Sequence, residues 1–190
     1  MTSGQDRSRR RWHGPRARAA GAATAAVLTL VGCGTAGSGS AVAPSRMSIS
    51  SEAFIQGALD QHYTCHGAGV SPPLNWSGAP PGTKSLALIV DDSSAPITPY
   101  IYWLVFDIGP DTTDIREGSL PTGARQAVNS KGTVGYDAPC PAGHAHSYRF
   151  TVYALRSELT LDNGAPLLSV WSAISAATIG RGRIVVTGNP

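Results

Sequence analysis

A single stretch of this 190-residue chain carries a helical period, whereas several carry the composition of β-strands, and that imbalance narrows the possible architectures most. Leu86 to Asp92, Tyr100 to Ile108, Tyr148 to Leu155 and Arg183 to Thr187 are rich in β-branched and aromatic residues and are bounded by Gly, Pro, Asp or Ser. Shorter strands are expected at Met47 to Ser50 and Ala124 to Asn129. The helical segment places Leu167, Val170, Trp171, Ile174 and Thr178 at three- and four-residue spacing, with Pro166 at its start and Gly180 past its end. Many strands with one late helix predict a mainly β domain built on antiparallel sheet.

The front of the chain is of another kind. Arg7, Arg9, Arg10, Arg11, Arg16 and Arg18 precede an apolar run from Ala19 to Val31, the layout of an export signal over residues 1–32. The run is 13 residues, short of the roughly 20 that a permanent membrane-crossing helix needs. It ends in Leu30-Val31-Gly32-Cys33, which resembles the lipobox of bacterial lipoproteins. Cys33 is therefore the expected lipidation point and the first residue after cleavage. Residues 33–46, dominated by Gly, Ser and Ala, read as a flexible tether, and the folded domain is expected over 47–190. Ser8-Arg9-Arg10-Arg11-Trp12 resembles a twin-arginine signal, so the export route is open.

Cleavage changes the electrostatics. Six of 15 Lys+Arg and one of 12 Asp+Glu leave with residues 1–32, so the remainder carries 9 basic and 11 acidic groups, net −2. The basicity of the whole chain belongs to the targeting segment, and nucleic acid is excluded as a partner class. With Cys33 lipidated, Cys65 and Cys140 remain as an even pair. A disulfide between them is expected in an exported protein, two packed free thiols being the alternative. A catalytic Cys140 is disfavoured because Pro139 and Pro141 remove amide donors that would stabilise a thiolate.

Candidate chemistry concentrates in Gly135 to Leu155, where a Gly/Pro-punctuated loop with His144 and His146 runs into a strand. His144 and His146 at i, i+2 share a face of an extended segment, but no Cys or carboxylate cluster lies nearby to complete a metal site. No metal and no cofactor are expected. Trp103, Phe150 and Tyr153 read as core residues, and His62 and His66 as surface loop residues.

Several stretches share an order and spacing with a known family: Tyr63-Thr64-Cys65-His66-Gly67, Ser71-Pro72-Pro73-Leu74-Asn75-Trp76, Gly82 to Asp92, Tyr102 to Ile108, and Gly135 to Leu155. Together they resemble the phosphatidylethanolamine-binding protein family, in particular its bacterial Raf-kinase-inhibitor-like branch. The resemblance implies a large central antiparallel sheet packed on a smaller one, with a small anion pocket at one end. On the matching positions it implies a pocket of Asp92, Pro96, Pro139, His146 and Tyr148. Three positions depart from the family pattern: Tyr102 stands where the family has a second pocket histidine, Ser94 replaces an Asp, and Ala138 replaces a turn glycine. Tyr102 keeps a donor but cannot become cationic near neutral pH. A methyl at Ala138 would strain the turn if that position needed positive φ.

The resulting expectation is a lipid-anchored, extracytoplasmic binding protein on the outer side of the cell membrane. Its ligand would be a small anion or a phospholipid headgroup resembling phosphatidylethanolamine, with a possible regulatory role. Inhibition of a protease by direct contact is one alternative. Hydrolysis by an Asp92/His146 acid–base pair is the other, disfavoured because no Gly-x-Ser-x-Gly or His-Glu-x-x-His motif occurs.

Overall fold

The computed structural model describes residues 43–94 and 98–189. The expected signal segment over residues 1–32, the expected lipidation point Cys33, and Pro96 therefore lie outside the described residues. Within them the strands are β1 (Ser45–Arg46), β2 (Ser48–Ser50), β3 (Phe54–Ile55), β4 (Ala58–Leu59), β5 (Leu74–Ser77), β6 (Ser85–Asp92), β7 (Tyr100–Ile108), β8 (Asp114–Ile115), β9 (Arg125–Gln126), β10 (His146–Leu155) and β11 (Thr178–Gly188). A 3₁₀ turn covers Gln61–Tyr63, and helix α1 spans Leu167–Ala177. The large sheet runs β3-β4-β11-β10-β6-β7-β9, and a second sheet of β2, β5 and β8 packs beside it.

The large sheet is antiparallel through its centre and mixed at one side, where β1 and β4 each pair with β11 in parallel. Strand β6 is buried at every position, including Asp91 and Asp92, because both faces of the sheet are covered. Leu86, Leu88 and Val90 join Phe150, Val152 and the second sheet's Leu74, Trp76 and Ile115 in one core. The intervening Ala87 and Ile89 join Leu104, Phe106, Leu155 and helix residues Val170 and Ile174 in the other. Period-two alternation thus sends neighbouring residues of one strand into two separate cores.

Two irregularities in β7 matter. Val90 pairs with Trp103 but Asp91 pairs with Ile101, leaving Tyr102 as an extra, bulged residue. A bulge puts two successive side chains on one side of a strand, and here Tyr102 and Trp103 both pack toward the core beneath the second sheet. The second lies near Asp107, whose φ is 53° and whose Oδ1 accepts the Leu159 N–H at 2.7 Å.

The late helix and the strands expected from the sequence are present, with shifted ends. The Ala124 to Asn129 strand contracts to Arg125–Gln126, and Arg183 to Thr187 extends to Thr178–Gly188. The extension passes through Gly180, expected only as the residue past the helix end, and Gly182, both of which serve close approach: a Cβ on Gly182 would lie 2.7 Å from the Met47 carbonyl oxygen. No helix among the described residues is long and apolar enough to cross a membrane.

Candidate functional site: a histidine–aspartate pair beside a buried tyrosine

Where β6 ends and β10 begins, the register Tyr148 to Asp92 brings together side chains distant in sequence. His146, two residues before Tyr148, projects to the same face, and its Nδ1 lies 2.7 Å from Asp92 Oδ2. The other carboxylate oxygen accepts the Ser94 N–H at 2.7 Å, the hydrogen bond of an Asx turn. Ser94 Oγ also accepts the Ser147 N–H at 2.9 Å, which ties the end of β6 to the start of β10. Both oxygens of the buried Asp92 are thus engaged by protein, and the His146 Nε2 edge is turned away from that pair.

Tyr148 is fully buried, and its hydroxyl has no hydrogen-bond partner among the described residues. Buried hydroxyls without partners are rare because desolvating one costs about 1–3 kcal/mol. Burial, reinforced by the Asp92 charge, pushes the phenol up to about 12. The Tyr102 hydroxyl comes near enough to ease that shift without reaching hydrogen-bonding geometry. Burial raises Tyr102 further still. Both residues are therefore neutral O–H donors throughout the physiological range.

Backbone packing fixes the Tyr148 ring. A Cβ built on Gly188, which faces His146 across the β10–β11 ladder, would lie 2.1 Å from Tyr148 Cε2 and 2.9 Å from its hydroxyl. Glycine at 188 is required by that approach. Gly188→Ala is expected to lower stability by about 1–3 kcal/mol in a urea titration and to displace the Tyr148 ring.

The rings around the site form one continuous wall. Tyr100 to Tyr102 is 4.8 Å between centroids, Tyr102 to Tyr148 5.6 Å, Tyr148 to His146 6.0 Å and His146 to the exposed His144 4.6 Å. The Gly135-led loop closes on this wall through Asp137, whose N–H donates to the Tyr102 carbonyl at 2.9 Å. The Asp137 carboxylate accepts the Tyr100 hydroxyl at 2.8 Å and the Lys131 ammonium at 2.9 Å. Tyr136 donates its hydroxyl to the Tyr63 carbonyl at 2.9 Å. Tyr100, Tyr136 and Asp137 were not singled out from sequence, although Tyr100-x-Tyr102 and the Tyr136-Asp137 pair flanking the Gly/Pro loop were the available signals.

Further along the loop, Ala138 is half-buried and Pro139 buried. The only non-glycine residues with positive φ among those described are Gln56 and Asp107, so Ala138 sits without the backbone strain that a replaced turn glycine would suggest. The Pro139 carbonyl accepts the Cys65 N–H at 2.9 Å, and Cys65 is joined to Cys140 by a disulfide with Cα atoms 5.2 Å apart. Cys65, His66 and Cys140 are the one grouping among the described residues compact enough for a metal, and both of its sulfurs are spent in the disulfide. Trp103 and Phe150 are core residues, while Tyr153 is only half-buried, on the sheet's other face.

Chemically, this is a set of inward donors (Tyr148 and Tyr102 hydroxyls and the His146 ring) next to one buried carboxylate. Comparison with known proteins agrees with the architecture. Residues 49–189 match the sequence pattern of a family described as phosphatidylethanolamine-binding protein. A UPF0098 protein of Methanothermobacter thermautotrophicus is 40% identical over 145 residues, covering 73% of this chain and 96% of that protein. A Mycobacterium tuberculosis protein provisionally described as a lipoprotein, LppC, is 37% identical over 187 residues, covering 87% of this chain and 92% of its own. The crystal structure of a phosphatidylethanolamine-binding protein homologue from Chlamydia trachomatis superposes with a TM-score of 0.70 at 32% identity, covering 76% of this chain and 98% of that one.

Proposed function

Because the chain belongs to the phosphatidylethanolamine-binding protein family, we propose that Asp92, His146, Tyr148 and Tyr102 bind a small anion or the phosphorylated headgroup of a phospholipid. The observation that carries this reading is the Tyr148 hydroxyl, buried and without a partner among the described residues, beside a histidine whose Nδ1 is held by Asp92. A phosphate oxygen seated there accepts from both hydroxyls and from His146 Nε2–H. Asp92 then lies where the ammonium of a zwitterion such as phosphoethanolamine gains from its charge. The Ala138-Pro139 turn is assigned to the rim of the site, and Pro96, the other expected rim residue, lies outside the described residues.

Binding, rather than turnover, is the role that suits the pair. Asp92, which accepts from Ser94 and His146, orients the histidine rather than acting as a base itself, and the sequence offers no Gly-x-Ser-x-Gly or His-Glu-x-x-His motif to work with that histidine. Phosphoethanolamine at about a hundred times its dissociation constant stabilises the native state by about 2.7 kcal/mol, raising the melting temperature, and His146→Ala removes the rise. An unchanged melting temperature at millimolar ligand, or an identical rise in the variant, contradicts the proposal. Turnover of phosphate or carboxyl esters that His146→Ala abolishes would replace it with the hydrolase.

The lipoprotein description of the mycobacterial relative supports a membrane-anchored protein. In this reading Cys33 carries the lipid and residues 33–46 tether the domain outside the membrane. Wild-type protein is expected in the detergent phase of a two-phase partition and Cys33→Ala in the aqueous phase; aqueous wild type contradicts the anchor.

A further inference from the structure

On the face of the large sheet opposite the tyrosine–histidine wall, a cleft of about 410 Å³ opens between α1 and strands β10 and β11. That size falls within the roughly 300–1,000 Å³ of small-molecule sites. Strand alternation supplies its charge. Arg149 lies between Tyr148 and Phe150, which face the other core, and Arg181 and Arg183 flank Gly182 on the neighbouring strand. The ladder sets Tyr153 opposite Arg181 and Thr151 opposite Arg183, so the three guanidinium groups share one small area with Tyr153, Trp171 and the buried Ile174.

One acidic group answers these three cations. Asp91 accepts Arg149 Nε at 2.8 Å and its NH2 group as well. Helix α1, Leu-Leu-Ser-Val-Trp-Ser-Ala-Ile-Ser-Ala-Ala, contributes no charge to the wall it forms. Arg183 donates Nε to Thr151 Oγ1 at 2.9 Å, which fixes its stem, and neither it nor Arg181 makes an ion pair among the described residues. The cleft therefore carries about two uncompensated positive charges in an exported domain whose net charge is −2. Such a concentration is costly by mutual repulsion and is relieved by an anion.

We propose that this cleft is a second ligand site, independent of the first, for a small organic anion: a phosphate or carboxylate joined to a flat or acyl apolar group. The guanidinium forks of Arg181 and Arg183 hold the anionic end, and Trp171, Tyr153 and Ile174 cover the apolar end. A phosphate could arrive on a soluble ester or on an anionic lipid, and the test separates these sources.

The experiment is calorimetric titration of the purified protein with phenyl phosphate, repeated in the presence of vesicles of phosphatidylcholine with and without phosphatidic acid. Phenyl phosphate binds, and R181Q/R183Q weakens it by about tenfold or more, as the loss of charge-assisted hydrogen bonds requires. Both arginines are exposed, so the double variant keeps its melting temperature. S175E, which puts a carboxylate into the cleft from an exposed helix position, produces the same loss without touching an arginine. The titrations are repeated in the H146A background, where the proposed headgroup site is disabled and a phenyl phosphate site that R181Q/R183Q and S175E weaken persists, which separates the two sites. Competition by phosphatidic acid vesicles identifies a lipid source, and binding undisturbed by them a soluble one. Absence of phenyl phosphate binding at millimolar concentration, wild-type affinity in both cleft variants, or loss of all binding in H146A overturns the proposal.

Discussion

Replacing Cys65 and Cys140 together by serine is expected to lower stability by about 4 kcal/mol, the chain-entropy value for a long closed loop. The bridge joins residues 75 apart in sequence, and within that span lie β5 to β9, so the unfolded chain without it gains a large conformational freedom. For a domain of this length the loss corresponds to a fall in melting temperature of roughly 10 °C, read by scanning calorimetry. Reduction of the wild type should reproduce it. A change of less than about 2 °C in both experiments would mean that the loop is held by its other contacts, chiefly the Cys65 N–H to Pro139 carbonyl bond.

Arg149→Met carries an effect of similar size from a different cause. Asp91 is 1% exposed, and Arg149 is its only side-chain partner among the described residues. Removing the guanidinium leaves a carboxylate buried in the sheet without its countercharge, a change that costs about 3–5 kcal/mol when the pair is wholly desolvated. The Arg149 side chain is 22% exposed, which places the expected loss toward the lower end of that range. Asp91→Asn combined with Arg149→Met removes the orphaned charge and should recover part of the loss. A double-mutant cycle in urea measures both, and additive effects would show that the two side chains do not interact.

The parts of the fold that could be read from sequence are those in which period and punctuation agree. β6, β7 and β10 are long, apolar and bounded by turn residues, and α1 shows its face through Val170 and Ile174. β3, β4 and β8 are two residues each, too short for any period to register. The start of β11 was hidden by glycines whose purpose is close packing against Met47 and Pro80. Parallel pairing of β1 and β4 onto β11 has no local signal, because it depends on where the chain returns.

At the site the same division holds. Asp92, His146 and Tyr148 could be named through the family resemblance, although Asp92 by itself reads as a turn residue at a strand end. Their contact depends on a register between residues 54 apart, which sequence alone does not display. The bulge that turns Tyr102 into the wall is a one-residue slip in pairing with β6, and nothing in Tyr-Ile-Tyr-Trp announces it. The arginine cleft was invisible for a related reason: Arg149, Arg181 and Arg183 are isolated charges on two strands until the sheet aligns them.

The buried Tyr148 hydroxyl and the Asp92-held His146 are proposed to form one anion-binding site. A crystal structure of the protein grown with phosphoethanolamine tests it most directly. The expected result is a phosphate with one oxygen within about 3 Å of the Tyr148 hydroxyl, another at His146 Nε2, and the amine toward Asp92. A Tyr148 hydroxyl satisfied by a protein group, with no ligand bound beside His146 at saturating concentration, would contradict it.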